Sequence, residues 1–167
     1  MDLLKPQNAL LTSLVRALDE IDKEWRNLDG LIVPGSWPGQ DDEKFIQEII
    51  PKIREAKESG KPFLGVCLGL QALGVMEGGI LEEMEANRQG IYLVKGWWGE
   101  TYESHWHRFK VIGEFPEYDT YSTDGVLEVM RLRGHPFFVG TQFHSEYQSS
   151  AKQPHPILKE FLNVCSM

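Results

Sequence analysis

Cys67 lies in Gly65-Val66-Cys67-Leu68-Gly69, a G-x-C-x-G where an apolar run (PFLGV, 62–66) meets a helix-like segment that opens LGLQAL. This is the spacing of a nucleophile elbow with sulfur in place of a serine oxygen. A sharp turn lifts the cysteine above the carboxyl end of a central strand, and the two glycines let strand and helix approach the turn. The helix N-terminus adds main-chain N–H groups and a partial positive charge, both of which favour a thiolate, the nucleophilic form. The N–H of Leu68 falls where an oxyanion hole needs a donor. The competing reading is a small buried cysteine packed as a hydrophobe. The flanking glycines and the strand-to-helix junction favour the elbow.

A cysteine nucleophile needs a base, most often a histidine oriented by a third group. Of the five histidines, His144 sits in Gly140-Thr141-Gln142-Phe143-His144-Ser145-Glu146, at the end of a candidate strand, FFVGTQF. In open α/β sheets, ligands bind outside the carboxyl ends of the strands. Glu146, two residues on, is within reach to orient the imidazole. Cys67, His144 and Glu146 thus form a nucleophile–base–orienter set. The two cysteines, Cys67 and Cys165, make no disulfide framework, and Cys165 reads as an inert or weakly exposed thiol. No C-x-x-C or H-E-x-x-H occurs, so neither a metal site nor a cofactor is expected.

The elements that must position these residues alternate in the first half. Leu10, Leu11, Leu14, Val15, Leu18 and Ile21 share one face of a predicted helix from Pro6 to about Ile21. LDGLIV (28–33) is a short apolar run ended by Pro34-Gly35, a buried strand. Asp41 and Asp42 can cap a second helix bearing Phe45, Ile46, Ile49, Ile50 and Ile53, which Pro51 is expected to kink or split and Ser59-Gly60 to close. PFLGV is a second buried strand, running into a third helix after Cys67. Helix, strand, helix, strand, helix predicts an α/β fold: a three-layer, open, mostly parallel sheet flanked by helices. The second half reads as short antiparallel strands near 91–95, 107–112, 125–132 and 137–143, then a helix at about 156–164. Residues 77–85 (EGGILEEME) are expected to form a surface loop or short helix. Trp97, Trp98, Tyr102 and Trp106 read as core or interface aromatics. No linker or repeat divides the chain, so one domain over 1–167 is expected.

PFLGVCLGLQAL (62–73) and GTQFHSEY (140–147) resemble the two signature stretches of class I, triad-type glutamine amidotransferases, roughly P-x-x-G-[IV]-C-x-G-x-Q and Q-[FW]-H-P-E. Further stretches are similar to the glutaminase domain of CTP synthases: LIVPG (31–35), His107-Arg108-Phe109, GHPFFVGTQF (134–143), and Pro154-His155-Pro156-Ile157 with Phe161. The resemblance implies glutamine as substrate, with Cys67 as nucleophile, His144 as general base and acid, and Glu146 as orienter. It implies the N–H groups of Ser36 and Leu68 as the oxyanion hole. It groups Gly35, Gly69, Gln71 and Arg108 as substrate-binding, with Arg108 suited to a carboxylate because a guanidinium forks onto two oxygens. A synthetase subunit or other protein receiving ammonia is the implied partner. A catalytically weak regulatory or binding module, and a hydrolase of another γ-glutamyl amide, are the alternatives.

The chain departs from that pattern in four places. The family's first core strand has no counterpart before the predicted helix at 6–21, so a sheet without it is expected. Pro34-Gly35-Ser36 stands where the family usually has P-G-G, and Ser145 where it has proline. A family glutamate that holds the substrate's amino group falls between Cys67 and Arg108, where Glu82, Glu83 and Glu85 are candidates.

Charge and hydropathy exclude other classes. The chain holds 17 basic and 25 acidic residues, a net charge of −8, with no basic run. That opposes a nucleic-acid backbone or an anionic membrane surface as partner. No window approaches a membrane span. MDLLKPQNALL lacks a basic region followed by an apolar core, so a cytoplasmic location is expected. No G-x-x-x-x-G-K-[ST] occurs, so the chain carries no P-loop for nucleotide phosphorylation.

Overall fold

The computed structural model describes residues 27–36 and 42–167. The predicted helix at 6–21, the expected loss of the first strand and the capping role of Asp41 lie outside the described residues.

The apolar run after Gly30 pairs as β1 (Leu31–Val33), in parallel with β2 (Phe63–Val66), which pairs in parallel with β7 (Phe138–Thr141). β6 (Val126–Leu132) and β5 (Tyr118–Thr123) extend that sheet antiparallel, giving the order β1-β2-β7-β6-β5. β2 and β7 are buried at every position, as central strands covered on both faces must be. Helices α1 (Asp42–Ser59) and α2 (Leu68–Met76) cover one face through Ile46, Ile49, Ile53, Leu70 and Leu73, which cluster with Phe63 and Phe138. Helix α3 (Pro156–Cys165) covers the other through Ile157 and Phe161, against Leu64, Val66, Val129 and Val139. Successive residues of one strand feed opposite clusters, as the two-residue period of a strand requires. The architecture is the three-layer, mostly parallel α/β sheet with antiparallel strands in the second half.

Three expectations are corrected. Pro51 does not split its helix: α1 runs unbroken through it, with the proline on the solvent face. Residues 77–85 form neither a loop nor a short helix. From Ile80 they enter β3 (Ile80–Gly96), which pairs antiparallel with β4 (Gly99–Ile112) in a long two-stranded hairpin. The predicted strand near 91–95 is the end of β3, and the sequence hides the rest because most of its side chains are solvated and show no apolar alternation; cross-strand ion pairs Glu82–Lys110 and Glu83–Arg108 line it instead. β5, read as an interval between strands, is a strand whose outward residues are polar.

The hairpin tip packs back onto the sheet. Trp97 and Trp98 meet edge-to-face with centroids 4.9 Å apart, Trp98 lies against Phe143 and His155, and the Trp97 Nε1–H donates to Glu160. Those two tryptophans are core contacts as expected, whereas Tyr102 and Trp106 are exposed on the hairpin's outer face.

Candidate functional site

Three neighbouring parallel strands end at one edge of the sheet. β1 leads to Pro34-Gly35-Ser36, β2 to Cys67, and β7 through Gln142-Phe143 to His144. Register puts Val33 beside Gly65, and Val66 beside Thr141, so the three exits are level.

Cys67 holds the elbow conformation at φ 53°, ψ −98°, a region that non-glycine residues rarely occupy and that costs on the order of 1–3 kcal/mol. Its N–H donates to the Thr141 carbonyl at 2.7 Å, tying the turn to β7. The glycines on either side are sterically required. A Cβ on Gly65 would lie 2.6 Å from the Gly69 carbonyl, and one on Gly69 would lie 2.3 Å from the Val33 carbonyl oxygen. Leu68 is the first residue of α2, so its N–H is among those left unpaired at a helix start.

The Cys67 thiol is buried, and burial pushes its pKa up to about 12. The Leu68 N–H and the Gln142 amide oppose that rise, while the carboxylates of Asp42 and Glu146 add to it. The resting group is therefore a neutral thiol, and its proton must be removed as the sulfur reacts.

His144 stands beside it. A Cβ built on Gly35 would lie 3.2 Å from the Cys67 Cβ, 2.7 Å from the His144 Cε1 and 3.4 Å from the His144 Nε2, so one point touches nucleophile and imidazole together. The other ring nitrogen, Nδ1, is 2.6 Å from the Glu146 carboxylate. With Nδ1–H donating to Glu146, the assigned tautomer leaves the Nε2 lone pair free on the Cys67 side. The ring stacks on Tyr147, and the His144 N–H donates to the Ser104 carbonyl of β4. Glu146 is carried on a 3₁₀ turn (Ser145–Gln148), which the Ser149 Oγ–H closes onto the Ser145 carbonyl at 2.9 Å. That bond holds the turn without the proline.

Ser36 donates its hydroxyl to the Asp42 carboxylate at 2.7 Å, fixing the loop after β1 to the start of α1. Gln71 is buried on α2, and its amide nitrogen donates to the Phe109 carbonyl at 3.1 Å. Arg108 points to the outer face of the hairpin, where its Nε–H donates to Glu83 at 2.7 Å. Cys67, His144, Glu146, Gly35, Ser36, Leu68 and Gly69 thus converge on one edge, with Gln71 behind it and Arg108 on the strand that arches over it. Among the described residues, no group of three or more His, Cys, Asp or Glu side chains is arranged to hold a metal ion, and no helix is long and apolar enough to cross a membrane.

Sequence reasoning missed a buried polar layer beneath the arch. Glu103, His105 and His107 alternate inward along β4; His105 Nε2 lies 2.8 Å from Glu128, which also takes Arg88, and His155 Nε2 lies 2.8 Å from Glu103. Their two-residue spacing was a readable signal of one strand face. Gln142, between β7 and His144, was missed as well.

The model of the glutamine amidotransferase class-I family matches residues 8–164. CTP synthase of Carboxydothermus hydrogenoformans is 30% identical over 87% of this chain and 36% of its own length. CTP synthase of Clostridium acetobutylicum is 27% identical over the same shares. The chain therefore spans about a third of the length of these curated relatives. Among solved structures, the Trypanosoma brucei CTPS glutaminase domain with bound acivicin superposes with a TM-score of 0.70 at 18% identity, covering 89% of this chain and 75% of that one. A putative GMP synthase subunit from Thermoplasma acidophilum superposes with a TM-score of 0.69 at 19% identity, covering 89% and 76%.

Proposed function

This chain belongs to the class-I glutamine amidotransferase family, and from that premise we propose that it hydrolyses the side-chain amide of glutamine through a γ-glutamyl thioester on Cys67. The observation that carries the reading is the single point beside Gly35 that touches both the Cys67 Cβ and the His144 ring, with Glu146 on the far ring nitrogen.

Each step follows from that arrangement. The His144 Nε2 takes the Cys67 proton as the sulfur bonds to the amide carbon. The carbonyl oxygen becomes an oxyanion between the N–H groups of Leu68 and Ser36, each worth roughly 3 kcal/mol of barrier. His144 returns the proton to the amide nitrogen, the C–N bond breaks, and ammonia leaves. Water then gives a proton to the same Nε2 and adds to the thioester carbon. The C–S bond breaks, the sulfur recovers its proton, and glutamate departs. Glu146 keeps Nδ1 as the donor and stabilises the imidazolium formed in between.

Arg108 is the guanidinium that suits the substrate's α-carboxylate, and because it points to the outer face of the hairpin it would have to leave Glu83 and turn toward the Cys67 edge to take it. Of the three candidate glutamates, Glu83 is the one that faces Arg108. Ammonia would pass to a synthetase or other acceptor, since this stretch of sequence holds no P-loop of its own.

Glutamate release from glutamine, wild type against Cys67→Ala, tests the reading. Loss of activity to background in the variant is expected; equal rates would remove Cys67 from the chemistry. If wild type releases no glutamate yet cleaves γ-glutamyl peptides, the substrate assignment fails while the nucleophile stands.

A further inference from the structure

Gln142 is fully buried beside the nucleophile, and the mechanism above does not use it. Its Nε2 lies 3.6 Å from the Cys67 sulfur. Oxygen and nitrogen of a side-chain amide are told apart only by their partners. Here the assignment starts from a group with one possibility. The main-chain carbonyl of Phe109 can only accept, so the Gln71 atom 3.1 Å from it is the amide nitrogen. That nitrogen carries a second hydrogen and lies 3.4 Å from the Gln142 side chain, whose facing atom is therefore the oxygen. Gln142 is left with its NH2 turned on the sulfur.

We propose that Gln142 is a catalytic residue that donates an N–H hydrogen bond to the Cys67 sulfur as the thiolate forms, and that Gln71 is the positioning residue that fixes the direction of that bond. The proposal deepens the glutaminase reading and rests on Cys67 as its nucleophile. A neutral thiol is a weak acceptor and a thiolate a strong one, so the bond strengthens as charge develops. The charged and titratable groups around the sulfur come from several elements. Asp42 on α1 and Glu146 on the 3₁₀ turn oppose the anion, His144 after β7 takes the proton, and His107 of β4, which burial keeps neutral, acts on His144 rather than on the sulfur. Gln142 and the Leu68 N–H are the groups that favour the thiolate there. Because the anchoring carbonyl belongs to β4, the seating of the hairpin arch over the site sets the nucleophile's acidity.

Iodoacetamide alkylation of Cys67, resolved by peptide mass and followed against pH with Cys165 as the internal reference, tests this without any turnover. Gln142→Met keeps the bulk and removes the donor. The expected result is Cys67 alkylation about tenfold slower at each pH below the thiol's midpoint, with Cys165 unchanged. Gln71→Met frees the Gln142 amide to turn its oxygen to the sulfur and is expected to slow Cys67 in the same direction. A folded Gln142→Met protein whose Cys67 profile superimposes on wild type overturns the proposal. Should that variant fail to fold, Gln71→Met decides by the same criterion. A wild-type chain with a Gln142-dependent profile that releases no glutamate would sink the glutaminase reading and leave this one standing.

Discussion

Gly35 separates two properties that usually fail together. Its missing Cβ is what lets the Cys67 Cβ and the His144 ring share one space, yet it lies on a loop rather than in the core. Gly35→Ala is expected to lower glutamine turnover by about 100-fold through sub-ångström displacement of the reacting groups. The urea midpoint should stay near wild type; an unchanged turnover would contradict the placement. His107 yields a pH prediction. Burial holds its pKa down at about 4, although its Nδ1 faces the Phe109 carbonyl. An unfolded chain binds a proton there near pH 6.5, before the folded one does, so the contribution is complete above that value and is lost as pH falls towards 4. Over that window the loss is of order 3 kcal/mol. His107→Gln should show a shallower fall in unfolding free energy between pH 6.5 and 4; an identical slope would refute it. The elbow was legible in sequence because its glycines follow from steric need, and the same holds for His144 and Glu146, whose two-residue spacing fits one turn. Gln142 was not legible, because nothing in a T-Q-F-H run says which atom of a buried amide faces a sulfur.

Among the elements, β1, β2, β7, α2 and α3 could be read because each is apolar and bounded by breakers or caps, such as Pro34-Gly35 and the His155-Pro156 helix start. Of the hairpin, only the stretches near 91–95 and 107–112 could be read. β3 owes its conformation to pairing with β4 rather than to burial, and its Glu-rich run carries no period of two in hydrophobicity. Pro51 failed as a breaker for the opposite reason. Burial of Ile46, Ile49, Ile53 and Ala56 on one face of α1 outweighs the hydrogen bond the proline removes. Since Pro51 itself is exposed, Pro51→Ala should restore that bond without disturbing the core. A gain of about 1–3 kcal/mol in unfolding free energy is expected by chemical denaturation; no gain would mean that the helix is already distorted to accommodate the ring.

For the molecule as a whole, sheet order decides the chemistry. The sheet brings the exits of β1, β2 and β7 side by side, although 34 and 144 lie far apart in sequence, and the β3–β4 arch closes over them. The family's curated relatives are about three times longer, and this chain carries no P-loop. Supplied with glutamine, ATP and UTP, the chain alone is therefore expected to release ammonia and glutamate but to form no CTP, read by nucleotide chromatography; CTP formation would overturn the restriction of these 167 residues to amide hydrolysis. The most direct measurement of the central claim is trapping of the intermediate. Glutamine is mixed with the protein, quenched in acid within the first turnover, and the Cys67 peptide is weighed. One γ-glutamyl group on Cys67, accumulating further in a His144→Ala variant if deacylation is slowed more than acylation and absent from Cys67→Ala, is the predicted result. Glutamate release by wild type with Cys67 never acylated would contradict the account.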